Sequence, residues 1–191
     1  MSHLSQVLSN ALADAHQVFE AIKTMEPELQ KASKEIATCL TSGGKMLVCG
    51  NGGSAADAAD FCTEFACRFQ KDRKPYPALN LSQGGSLITA TGNDYGFDEI
   101  FARQVSAFGQ KGDVLIAIST SGKSANIRRA LEEGKSQGLK TIALLGRDGG
   151  SCKGVAEIDL IVPGEATARI QEAHKFLLHV LCESVEPQLM E

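Results

Sequence analysis

Hydrophobic and polar positions follow two periods along this chain. From residue 3 to about 43, Leu4, Val7, Leu8, Ala11, Leu12, Ala15, Val18, Phe19 and Ile22 recur at helical spacing. Pro27 restarts the pattern with Leu29, Ala32, Ile36, Ala37 and Leu40. Two helices are predicted, the second stopped by Gly43 and Gly44. The first apolar stripe is wide for a helix on a small domain. It either packs against another subunit or covers an edge of its own core. Beyond residue 44 the pattern changes to short apolar runs of strand length: Lys45 to Cys49, Pro77 to Leu81, Val114 to Ile118, Lys140 to Leu145 and Ile158 to Val162. Helical sequence lies between them, from Ala55 to about Arg68, after Gly85, from Phe97 to Phe108, from Ala125 onward and from Thr167 to Val185. Gly92 to Gly96 reads as a turn. Strands and helices in alternation predict an α/β domain, a parallel sheet covered on both faces. No tandem repeat, linker or low-complexity tract divides residues 1–191.

Two strand-to-helix joints carry candidate chemistry. In DVLIAISTSGKSANI, residues 113–127, a buried strand ends in Ser119, Thr120, Ser121 and Ser124 around Gly122, just before a helix. Unpaired backbone N–H groups, a positive helix end and several hydroxyls make such a joint an anion site. Ser124 alone would read as an N-cap; four hydroxyls in six positions favour phosphate. Gly50-Asn51-Gly52-Gly53-Ser54 follows the first strand in the same design, and Ser54 can either cap the next helix or bind phosphate. In an open parallel sheet, loops at the carboxyl ends of strands line one crevice.

The helix after that loop carries Asp57, Asp60 and Glu64 on nearly one line. Acidic residues usually form a solvated face. The rest of this helix is mostly Ala, Phe and Cys, which leaves little exposed surface and favours a functional role for Glu64. On the closing helix, Gln171 and His179 are eight apart, about 80° around the axis, so one pocket could meet both. His174 points elsewhere and reads as a satisfied core histidine; for His179 the core and catalytic readings stay balanced. His3 and His16 read as surface residues.

Composition narrows the class. The 191 residues are 43% hydrophobic with net charge -4, and the basic residues are scattered, which speaks against a nucleic-acid partner. No apolar run has the length of a membrane span, and residues 1–14 lack a signal-peptide pattern, so the expectation is a soluble cytoplasmic protein. The six cysteines have neither zinc-finger nor C-x-x-C spacing and read as reduced, mostly buried thiols.

With CGNGGSAADA at 49–58, GNDYGF at 92–97, GDVLIAISTSGKSANI at 112–127, GRDGG at 146–150 and ARIQEAH followed by His179, the chain resembles the sugar isomerase (SIS) domain superfamily, and within it the phosphoheptose isomerase group. The resemblance covers nearly the whole length. It implies a single SIS domain with a five-stranded parallel sheet, residues 1–43 packing on the core and on neighbouring subunits, and a homotetramer with active sites between subunits. It implies interconversion of sedoheptulose 7-phosphate and glycero-manno-heptose 7-phosphate, the first step toward ADP-heptose for lipopolysaccharide or capsule. Phosphate binding falls to Ser119, Thr120, Ser121 and Ser124 with Ser54. Sugar contacts fall to Asn51, Gly52, Gly53, Asn93 and Asp94. Glu64 and His179 become the acid–base pair, with Gln171 beside them.

The group usually binds zinc through a histidine one turn before the glutamate, that glutamate, the glutamine and the last histidine. Here the set is Asp60, Glu64, Gln171 and His179, one divalent ion per subunit, with Asp60 where the histidine would be. Such an oxygen-rich set tolerates other divalent ions. A bound metal would stabilise an enediolate. Gln83-Gly84-Gly85-Ser86 is a second departure, from an Asp/Thr-rich turn, and bears on substrate preference. The rival readings are a non-catalytic SIS tetramer that binds a bacterial replication initiator and a sugar-phosphate sensor. The first lacks the glutamate and histidine present here; the second is disfavoured because no DNA-binding segment is seen.

Overall fold

A computed structural model describes residues 2–190; Met1 and Glu191 lie outside the described residues. Two helical segments come first, α1 (His3–Ala21) and α2 (Glu26–Thr41), joined by a single 3-10 turn at Ile22–Met25. Ser2 caps α1 by accepting from the Ser5 N–H, and Pro27 sits in the first turn of α2, where no backbone donor is needed. Then follow β1 (Met46–Gly50), α3 (Gly53–Ala66), β2 (Ala78–Asn80), α4 (Gly85–Asp94), α5 (Ala102–Phe108), β3 (Val114–Ser119), α6 (Ala125–Ser136), β4 (Lys140–Gly146), β5 (Ile158–Val162) and α7 (Thr167–Val185).

The five strands form one parallel sheet in the order β2-β1-β3-β4-β5. Successive residues of its central strands face opposite sides, and both sides are dry. Met46, Val48, Val114, Ile116, Ile142 and Leu144 pack under Ile36 of α2, Phe61 and Phe65 of α3, and Leu178 and Leu181 of α7. Leu47, Cys49, Leu115, Ala117, Ala143 and Leu145 face Phe101 and Val105 of α5 and Ile127, Ala130 and Leu131 of α6. This explains why the strands read as continuous apolar runs instead of alternating ones. α1 meets this body at Ala11, whose carbonyl accepts from Arg169 of α7, and at Val18, which with Ile22 of the following turn packs on Val162, Ile170, Ala173 and Leu177. Leu4, Val7, Leu8 and Leu12 stand exposed.

Four boundaries differ from the sequence expectation. β2 is only three residues long, because this edge strand pairs with β1 alone and Pro77, with no N–H, can only accept from Met46. The predicted turn at 92–96 begins later: Gly92, Asn93 and Asp94 complete α4, and the chain reverses at Gly96, φ 93°. The helix expected from Phe97 to Phe108 is split into a 3-10 turn, Phe97–Glu99, and α5. α3 begins at Gly53, not Ala55, since Gly52 at φ 56° turns its carbonyl to accept from Ala55 and Ala56. Ser54 is therefore inside the helix and does not cap it.

Five of the six cysteines are buried, Cys67 being exposed, and all are free. Burial pushes the Cys39 thiol up to about 11 and that of Cys62 to about 12, so both stay protonated.

Candidate active site

The strand order reverses direction between β1 and β3: the chain leaves β1 for one edge and β3 for the other. Loops that diverge in this way open a crevice at the carboxyl ends of the two strands. The two phosphate-type loops identified in the sequence flank it, each leading into a helix N-terminus, α3 or α6. They are tied together by a reciprocal amide pair. Asn51 Nδ2 donates to Asn126 Oδ1 and Asn126 Nδ2 to Asn51 Oδ1, both at 2.9 Å. Asn126 lies within the serine-rich motif, but its pairing with Asn51 emerges only from the fold.

Within the serine-rich loop the hydroxyls cluster. Ser119 Oγ lies 3.2 Å from Ser124 Oγ and 3.4 Å from Ser121 Oγ, and it accepts from the Gly122 N–H at 3.1 Å. The Lys123 N–H donates to Ser121 Oγ at 3.1 Å. Ser124 occupies the N-cap position of α6, yet its side chain makes no cap bond; its hydroxyl turns to Ser119 instead. The curl is locked from behind by the GRDGG loop. A Cβ on Gly122 would stand 2.2 Å from the Gly149 carbonyl oxygen, and one on Gly146 would stand 2.1 Å from that of Thr120. Only glycines allow this contact, so the cradle is rigid before any anion enters it.

A second set of residues joins α3 to α7. Gln171 lies across Gly53, whose added Cβ would meet Gln171 Nε2 at 2.3 Å, and this amide donates to Asp57 Oδ2 at 3.2 Å. One turn later the Lys175 ammonium lies 3.2 Å from Asp57 Oδ1 and 2.5 Å from Asp60 Oδ2. Burial alone would pull the Lys175 ammonium down, but its bonds to Asp60 and Asp57 outweigh that and the net shift is upward. Asp57, Gln171 and Lys175 with Ala168 and Glu172 line a cavity of 370 Å³. The contacts run in step along both helices, which therefore lie side by side in the same direction. Glu64 comes one turn after Asp60, and His179 one turn after Lys175, so the two fall abreast. Glu64 is half-buried and His179 exposed, its ring 6.1 Å from that of Phe69.

The end of α3 that carries Glu64 is clamped. Arg73 Nη2 donates to the Glu64 carbonyl at 2.6 Å and Nη1 to that of Phe65 at 3.1 Å. Its Nε lies 3.4 Å from Glu186 Oε1, an ion pair with both side chains buried. Glu186 also accepts from the N–H groups of Phe69, Gln70 and Lys71. His174, as expected, is a core residue: fully buried, with Nε2 3.1 Å from the Leu145 carbonyl, and burial lowers its pKa to about 4.

Not every candidate converges. Asn93 and Asp94 are exposed at the end of α4, the amide of Asn93 donating to Asp94 at 2.8 Å. The phosphate cradle and the Glu64–His179 pair lie at opposite ends of α3, about 16 Å apart along its axis. Nor do Asp60, Glu64, Gln171 and His179 form a metal cage as they stand. Asp60 is held by Lys175 and Gln171 by Asp57. Among the described residues, no three His, Cys, Asp or Glu side chains are grouped closely enough to hold an ion. Sequence reasoning missed Lys175 and the structural part of Asp57, because their contacts join segments more than a hundred residues apart.

Comparison with known proteins gives a consistent result. Residues 12–146 match the family model described as SIS domain. The chain is 50% identical over 165 residues, 86% of each chain, to the phosphoheptose isomerase of Citrifermentans bemidjiense. It is 44% identical over 185 residues, covering 97% of this chain and 98% of the relative, to that of Aliarcobacter butzleri. Among solved structures, a phosphoheptose isomerase from Francisella tularensis superposes with a TM-score of 0.90 at 39% identity, over 97% of this chain and 98% of the other.

Proposed function

The chain belongs to the SIS domain family, in its phosphoheptose isomerase group, and we propose that it interconverts D-sedoheptulose 7-phosphate and D-glycero-D-manno-heptose 7-phosphate by proton transfer through an enediol. What supports this reading is the presence of Glu64 on α3 and His179 on α7, two helices joined by the contacts of Lys175 with Asp57 and Asp60, in a chain that matches enzymes of that name over nearly its full length. A non-catalytic relative would need neither side chain.

In this reading the 7-phosphate sits in the cradle of Ser119, Thr120, Ser121 and Ser124, with Ser54 across the crevice. Helix N-termini and hydroxyl donors hold it, and this fixes the far end of the sugar. Asn51, Gly52 and Gly53 meet the hydroxyls. The Glu64 carboxylate takes a proton from C1 of the ketose as His179 delivers one to the C2 oxygen, giving the enediol. Glu64 then returns its proton to C2 while His179 accepts the O1 proton, which leaves the aldehyde. His179 also serves ring opening. Gln171 orients the substrate beside them. Zinc, the cofactor implied by the resemblance, meets a donor set that does not fit it here, and no step depends on it.

The axial separation of about 16 Å along α3 favours a cradle completed by Glu64 and His179 of another copy. This supports a homotetramer with sites between subunits. The exposed apolar face of α1 offers the kind of surface such an assembly covers. We assign the reaction to the cytoplasm, at the head of ADP-heptose formation for lipopolysaccharide or capsule. Among the described residues no helix is long and apolar enough to cross a membrane.

The test is an assay that follows appearance of the aldose from sedoheptulose 7-phosphate. Wild-type protein is expected to turn over, with Glu64→Gln and His179→Asn each lowering kcat by about a hundredfold or more. Full turnover by Glu64→Gln would reject the role given to that carboxylate. No turnover by the wild type would reject the isomerase reading.

A further inference from the structure

The four side chains implied as zinc ligands are divided between two helices, and a lysine stands among them. Gln171 and His179 are about 12 Å apart along α7, so an ion shared by both would stand near the level of residue 175. That level is filled by the Lys175 ammonium, in contact with Asp60 at 2.5 Å and Asp57 at 3.2 Å. A divalent ion there would meet a like charge at close range and would have to break two charge-assisted hydrogen bonds. Asp57 is buried to 3% exposure and uses one oxygen on Lys175 and the other on the Gln171 amide. The amide NH₂ of Gln171 is thereby committed to a carboxylate.

We infer that the Lys175 ammonium is the resident cation of this site, standing where α3 and α7 would otherwise share a divalent ion, and that the protein holds no tightly bound metal there. The lysine neutralises Asp57 and Asp60 and keeps Gln171 against the loop after β1. An ammonium has three N–H donors, two of which are used on the carboxylates. The third is not used on these carboxylates, and because Lys175 lines the 370 Å³ cavity it can serve a hydroxyl or carbonyl oxygen of a sugar there. The charge itself does not depend on the isomerase reading; the contact with a sugar does.

Untagged protein, dialysed against zinc chloride and then against zinc-free buffer, is analysed by elemental mass spectrometry and by calorimetric titration with zinc chloride. Wild-type protein is expected to retain far less than one zinc per chain. Lys175→Met, which leaves Asp57 and Asp60 without their cation, is expected to bind zinc at least about tenfold more tightly. Lys175→Arg keeps the charge and is expected to exclude the ion as the wild type does. Melting curves establish that each variant is folded. Should Lys175→Met fail to fold, the double variant Asp60→His with Lys175→Ile replaces the ion pair by neutral groups and is expected to take up one zinc per chain. Stoichiometric zinc in the dialysed wild type overturns the inference, as does equal zinc affinity in Lys175→Arg and in whichever lysine-free variant folds. None of these readouts needs turnover, so a failed isomerase assay would sink the proposed reaction and leave the cation assignment standing.

Discussion

Gly53 shows how a single missing carbon organises the site. A methyl group there would overlap the end of the Gln171 side chain at 2.3 Å. That end is flexible, so Gly53→Ala is expected to fold, with a melting temperature close to the wild type because alanine favours a helix. Gln171 would have to leave Asp57, and kcat/KM is expected to drop about tenfold, read by steady-state assay beside a thermal melt. His174 makes a different prediction. Burial holds its pKa at about 4 against an ordinary 6.5, so the unfolded chain binds the proton more readily than the folded one. Its contribution is whole above about pH 6.5 and is lost as pH falls toward 4, by about 3 kcal/mol. Urea unfolding between these limits should show that slope, and His174→Phe should flatten it. The reading of His174 as a core residue was available from its apolar neighbours alone. Lys175 was not legible, because nothing local marks a lysine whose partner lies 115 positions away.

At the scale of elements, the apolar runs disclosed all five strands and the glycine-rich joints disclosed which loops face the crevice. Helix ends were less legible. Gly52 and Gly96 reshape the chain through positive φ values, which a hydrophobic pattern does not record. The clamp on α3 was also hidden, since the partner of Arg73, Glu186, lies far along the chain. Its guanidinium and the Glu186 carboxylate are both buried, so removing one strands the other. Arg73→Met is expected to cost about 3 to 5 kcal/mol, measured by chemical denaturation. Glu64 sits on the turn whose carbonyl Arg73 holds, so turnover should fall further than the folded fraction does.

For the whole molecule, the proposed site shared between copies predicts that activity depends on assembly. Leu4, Val7, Leu8 and Leu12 form an exposed apolar face on α1 with no partner in a lone chain. The sequence raised two fates for this stripe, and the fold leaves its first half off the core. Leu8→Glu is expected to shift the protein toward smaller species in analytical ultracentrifugation and to make specific activity fall on dilution, while the circular dichroism spectrum stays unchanged. A fall on dilution with an unaltered spectrum would separate lost assembly from lost folding.

The contacts of residues 186–189 bear on how the molecule is made. Glu186 supplies the counter-charge to Arg73 and gathers three N–H groups after α3, and the Leu189 carbonyl accepts from the Tyr76 hydroxyl at 2.9 Å. During synthesis the guanidinium emerges more than a hundred residues before its counter-ion. The nascent domain must therefore wait, with a charge it cannot yet bury, until that stretch has cleared the ribosomal tunnel. A translation arrest just upstream of residue 186 should leave a chain that proteases cut between α3 and β2.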